Sequence, residues 1–114
     1  MNQLKVFAAF LLLLAAAGCR SRVIHVRLVN ISSQPVRTII VDYPGATFGK
    51  DSLAPGATFN YVIKPTDNGA LKIQFADALG ASHAYSGPVV QKGQEGDIEI
   101  KITQDSISTE PRLH

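Results

Sequence analysis

Apolar and polar positions fall into two unlike regimes along this chain. From Val6 to Gly18 the residues are apolar or small without interruption, and no charge follows Lys5 until the block has ended. From Val23 onward, short runs alternate apolar with polar residues, the period of a strand whose two faces meet different surroundings. The first run is Val23–Val29, with Ile24, Val26 and Leu28 on one face. Asn30–Pro35 is a turn cluster. A second strand covers Val36–Tyr43, where Ile39, Val41 and Tyr43 share a face and Ile40 opposes them, implying partial burial on both sides.

The later runs are as regular. Thr58–Lys64 sets Phe59, Tyr61 and Ile63 inward; Leu71, Ile73 and Phe75 alternate with Lys72 and Gln74. In Ser82–Ser86, His83 and Tyr85 face one way, and Gly87-Pro88 is expected to end the strand. Ile98, Ile100 and Ile102 alternate with Asp97, Glu99 and Lys101, the clearest strand of all. Gln104–His114 is polar, contains a proline and is expected to fray as a tail. Pro44-Gly45-Ala46-Thr47-Phe48 recurs as Pro55-Gly56-Ala57-Thr58-Phe59. Proline at φ near −65° followed by glycine at positive φ is what a type II turn requires, so each copy predicts a turn that launches a strand.

Six or seven short strands with no helical period predict an all-β domain over residues 23–103, a single antiparallel β-sandwich. A small closed barrel is the alternative. The expected core is Ile24, Val26, Leu28, Ile39, Val41, Phe59, Tyr61, Ile63, Leu71, Ile73, Phe75, Ile98, Ile100 and Ile102. The Val29-Asn30-Ile31-Ser32 opening, the Leu53-Ala54-Pro55-Gly56 turn and the isoleucine-rich final strand resemble immunoglobulin-like or fibronectin-like modules of bacterial envelope proteins. The resemblance implies a sandwich without the Cys…Trp…Cys core of antibody domains, since the chain has one cysteine and no tryptophan.

The apolar block reads as a signal-peptide helix over residues 1–18. Over Val6–Gly18 it would reach roughly 20 Å, short of the about 30 Å hydrocarbon core of a bilayer. Two cuts are open. Ala15-Ala16-Ala17 suits ordinary signal peptidase, which would cut before Gly18 and release a soluble protein. Ala17-Gly18-Cys19 resembles the lipobox of bacterial lipoproteins, although that family prefers leucine where this chain has Ala16. The resemblance implies cleavage before Cys19, a diacylglyceryl thioether on its sulfur, and attachment to a membrane. Arg20 follows the cysteine, which by the same analogy directs a Gram-negative lipoprotein to the periplasmic leaflet of the outer membrane. Residues 19–22 then form a lipidated, basic tether, and Arg20 and Arg22 are candidates to pair with anionic headgroups. An ordinary solvated linker is the favoured reading of these arginines.

Charge and chemistry narrow the function. A formal net charge of +2 indicates neither a nucleic-acid partner nor an acidic solubilising tail. No Gly-x-Ser-x-Gly elbow occurs, and His83 and Ser86 sit at an odd spacing that sends them to opposite strand faces, so no catalytic residue and no enzyme is expected. The three histidines are scattered and the acids lack the rhythm of a calcium loop, so neither a metal nor a cofactor is expected beyond the covalent lipid. Tyr43 and Phe48 flank Pro44-Gly45 and make the candidate ligand loop, where paired aromatic rings would meet a sugar. The leading expectation is a lipid-anchored, non-enzymatic interaction or assembly module of the cell envelope, with an edge strand able to accept a partner strand. A carbohydrate- or peptidoglycan-binding lipoprotein is the alternative, and a small periplasmic inhibitor or metal carrier a further one.

Overall fold

The computed structural model of the protein describes residues 22–114. The expected signal helix, Cys19 and Arg20 lie outside the described residues. Eight strands follow in chain order: β1 (Ile24–Asn30), β2 (Val36–Tyr43), β3 (Ala46–Leu53), β4 (Thr58–Ile63), β5 (Gly69–Ala76), β6 (Ser82–Val90), β7 (Gly96–Ile102) and β8 (Ile107–Leu113). They form two four-stranded sheets, ordered β4-β1-β7-β8 and β3-β2-β5-β6. The inner faces of both sheets feed one core cluster, the arrangement of a β-sandwich.

Twelve of the fourteen expected core residues are buried, and the alternation explains why. On β1, β5 and β7 every second residue points inward, so Ile24, Val26, Leu28, Leu71, Ile73, Phe75, Ile98, Ile100 and Ile102 are shielded from water. Each side chain of this size contributes about 1.5–3 kcal/mol on full burial. The three isoleucines of β7 therefore anchor it in the core between its neighbours β1 and β8. Phe59 and Tyr61 also point inward, but they sit on an edge strand at the rim, where Phe59 is half-buried and Tyr61 is 39% exposed.

Four expectations need correction. The strands number eight rather than six or seven. The sandwich is not purely antiparallel, because β1 and β7 run parallel, Ile24 beside Gly96 through Asn30 beside Ile102. Residues 107–113 do not fray: they pair with β7 along their whole length, and His114 continues the ladder by exchanging two backbone hydrogen bonds with Glu95, at 2.9 and 3.1 Å. Gly87-Pro88 does not end β6. The β5–β6 register shifts between Ala70 and Lys72, and Gly87 passes so close to Leu71 and Ile73 that a Cβ would stand 3.1 and 3.0 Å from them. The break in alternation is a bulge inside a continuing strand.

A second irregularity, in β2, explains a missed core residue. Val36 and Ile39 are both buried although their spacing is odd. Thr38 lies between them at φ 49°, in the left-handed region that β-branched residues rarely adopt, and the ladder skips there between Arg37 and Ile40. The extra residue lets both apolar side chains turn inward. Both proline–glycine turns behave as expected, with Gly45 at φ 108° and Gly56 at φ 74°. A Cβ on Gly45 would also collide with Thr66, whose amide bonds the Pro44 carbonyl.

Candidate functional site

The strands give the sandwich two poles. Gly96 donates to the Val23 carbonyl at 3.3 Å, and His114 pairs with Glu95, so both ends of the described chain meet at one pole. The turns at 44–45, 64–68 and 91–95 lie there too, and Arg22 is exposed beside them. The far pole carries the connections at 31–35, 54–57, 77–81 and 103–106.

Asn30 organises the far pole. It is 0% exposed. Its Nδ2 donates to the carbonyls of Gln34 (2.8 Å) and Leu53 (2.9 Å), while its Oδ1 accepts from the Ser32 amide (2.9 Å) and hydroxyl (2.6 Å). Gln104 ties in two more connections: Nε2 donates to Ser32 Oγ at 2.8 Å and Oε1 accepts from the Ala78 amide at 2.8 Å. These contacts brace the loops against one another, leaving Ile31 and Leu79 exposed on them. The Asn-x-Ser spacing was the legible signal for this hub, since the side chain of Asn readily bonds the amide two residues on.

Asp77 and His83 form a second polar pair at that pole, Oδ2 to Nε2 at 2.9 Å. The hydrogen bond from His83, then those from the Ala81 and Leu79 amides, hold the Asp77 carboxyl below its ordinary value. His83 stacks on Phe75 and lies parallel to Tyr85, whose hydroxyl donates to the Asp105 carbonyl. The imidazole is thus occupied on both its face and its edge. Among the described residues there is no group of three or more His, Cys, Asp or Glu placed to hold a metal ion.

The candidate ligand loop is put to a different use. Phe48 is 5% exposed and faces inward from β3, stacked at 4.3 Å on Tyr61 of β4. Tyr43, half-buried, leans on Phe48 at 6.3 Å, and burial raises its phenol above the ordinary value, helped by the neighbouring Tyr61. Tyr43 and Phe48 therefore do not present two open ring faces to a sugar. Together with Phe59 and Tyr61 they close the side of the sandwich where β3 and β4 meet, and Lys50 Nζ sits 5.2 Å over the Phe59 ring.

Beside this aromatic closure, the outer face of β4-β1-β7-β8 forms a shallow concavity of about 490 Å³. Register places Val62, His25, Asp97 and Arg112 in one row across it, and Asn60, Arg27, Glu99 and Glu110 in the next. Charge is unevenly spread along the rows. Glu99 lies 3.9 Å from Arg27 and 3.7 Å from Lys101, and Lys101 reaches Glu110 at 3.5 Å, so the acids cluster on β7 and β8. The β4 end of the face has none. Sequence reasoning placed Phe59 and Tyr61 in the core and left Asn60 and Val62 without a role.

No family model matches the sequence, and no curated protein matches it. Among solved structures, the chain is similar to the NMR structure of a protein from Eubacterium rectale. The TM-score is 0.60 at 13% identity, over 77% of this chain and 86% of that one. At that identity the likeness concerns the fold alone.

Proposed function

We propose that the protein is a lipid-anchored, non-enzymatic interaction module of the cell envelope. What carries the reading is the polarity of the sandwich combined with the position of the cysteine. β1 begins at Ile24, at the pole where both described chain ends meet. From Cys19 to Ile24 the chain spans at most about 17 Å fully extended. A lipid on Cys19 therefore holds that pole against the bilayer and turns the far loops and the sheet edges outward. Arg22, exposed beside Val23, falls where anionic headgroups would be, and Arg20 directly follows the cysteine in the sequence. An immunoglobulin-like character of the sandwich belongs to this same proposal, as does residence on the periplasmic leaflet of an outer membrane.

The test is mass spectrometry of the mature protein from bacterial membranes, alongside a Cys19→Ser variant. A diacylglyceryl group on an amino-terminal cysteine is expected, with the variant lost from the membrane fraction. A mature chain beginning at Gly18, or an unmodified thiol on freely soluble protein, overturns the anchor.

A further inference from the structure

Every open sheet edge is a template for another strand, and folded proteins guard such edges with prolines, charges or bulges. Here the guarding is uneven. β8 carries Glu110-Pro111-Arg112, β6 carries Pro88 beside its bulge, and β3 carries Lys50-Asp51. β4 reads Thr58-Phe59-Asn60-Tyr61-Val62-Ile63 and has no proline, no charge and no register shift against β1.

The hydrogen-bond phase shows which backbone groups that edge offers. Asn30 donates to Ala57 at 3.1 Å on the β4 side, whereas Ile31 donates to Ile102 at 3.0 Å and Val23 accepts from Gly96 on the β7 side. Even-numbered β1 residues thus bond β4, and their partners there are Phe59, Tyr61 and Ile63. The intervening Thr58, Asn60 and Val62 turn their N–H and C=O groups outward. On β8 the same reasoning, from the Thr103–Ser106 and Glu95–His114 bonds, places Pro111 among the outward residues, where its missing N–H blocks a ladder. One side of the sandwich is closed to strand addition; β4 is open to it.

The surroundings indicate what would dock. On the inner side, an added strand meets Phe59 and the 39% exposed Tyr61; on the outer side it lies beside Val62, 49% exposed, and Asn60. The basic groups within reach are Lys64, Lys50 and Arg27, the last also 3.9 Å from Glu99 of β7; the His25 imidazole lies beside Asp97 in the adjoining row, and β4 itself carries no acid. A second copy of this chain is a poor occupant. Antiparallel β4–β4 pairing would bring the same basic groups together and point the two tethers in opposite directions.

We infer that β4 is the protein's docking edge, accepting by antiparallel strand addition an extended segment of a partner protein that alternates aliphatic side chains inward with acidic ones outward. This deepens the interaction-module reading, but it does not depend on lipidation of Cys19. The probe is a short synthetic peptide alternating Glu and Val, titrated against the full-length protein in detergent micelles. It is expected to bind at least about tenfold more tightly than its Lys–Val counterpart. N-methylating the Glu amides, which would face β4, should abolish binding, whereas N-methylating the Val amides should not. Asn60→Pro removes one outward N–H at a site with no internal bond, and it should weaken binding about tenfold or more. If that variant unfolds, Val62→Glu on the exposed face should reverse the preference between the two peptides. Equal binding of both peptides, indifference to which amides are methylated, or wild-type affinity in a folded Asn60→Pro protein overturns the inference. So does peptide-free dimerisation that Asn60→Pro abolishes, which would make a second copy the occupant.

Discussion

Replacing Asn30 with alanine would take the Nδ2 donor from the Leu53 carbonyl and the Oδ1 acceptor from the Ser32 amide, whereas the Gln34 carbonyl keeps the Ser32 hydroxyl and Gln104 as donors. An unsatisfied buried group costs about 1–3 kcal/mol, so Asn30→Ala should lower stability by about 3 kcal/mol. Equilibrium urea unfolding reads this as a lower midpoint at unchanged slope. A second residue-scale effect is pH-dependent. The folded state holds the Asp77 carboxyl below its ordinary 3.8, chiefly through His83 and then the Ala81 amide. The unfolded chain therefore takes up the proton first as pH falls. Asp77 supports the fold fully above the ordinary carboxylate range, and this support fades as pH drops through it and below. Asp77→Asn should flatten the stability profile as pH falls from about 5 through the ordinary carboxylate range and below it, measured by thermal or urea unfolding at each pH.

At the scale of elements, β7 depends on a single backbone conformation at its start. Gly96 has φ 134°, and a Cβ there would stand 2.1 Å from the Arg112 carbonyl oxygen of β8. That oxygen belongs to the ladder and cannot step aside without breaking β7–β8 pairing. Gly96→Ala should therefore cost about 3 kcal/mol or more, against about 1–2 kcal/mol for Gly93→Ala, where φ is 78° but a Cβ meets open space. Calorimetry of the two variants separates close approach from the loss of positive-φ freedom that both share.

The same contrast decides which elements could be read from the sequence. β7 was legible because Ile98, Ile100 and Ile102 are all buried in strict alternation. β8 was not, because an edge strand shields one face only partly: Ile107 and Leu113 are its apolar anchors, and Pro111 suggested a break. The start of β3 was announced by the Pro44-Gly45 turn, but its course hid behind Gly49-Lys50-Asp51-Ser52, all exposed, and Phe48 was assigned to the candidate ligand loop. Val36 and Val90 escaped because bulges put them out of phase with the periodicity that found their neighbours.

Across the whole molecule, what could not be read is which strands adjoin. Alternation assigns a face to each side chain but carries no address, so the parallel β1–β7 pair and the position of β4 at an edge follow from how eight strands close one core. The candidate site shares this property. Asn60 and Val62 look like ordinary outward residues until the sheet order leaves them without a neighbour. Conversely, Tyr43 and Phe48 were legible as neighbours across the Pro44-Gly45 turn, whereas the inward turn of Phe48 against Tyr61, which removes the expected open ligand loop, was not.

The parallel β1–β7 pair also sets a timetable. β1 lies between β4 and β7, so the first strand made stays half-paired until almost the last strand has been synthesised. Chains dominated by such distant pairings fold slowly, since loop-closure entropy must be met before the contacts reward it. On the proposed export route that delay is an asset. A chain threading through a translocation pore has nothing to unravel while its carboxyl end is still on the ribosome.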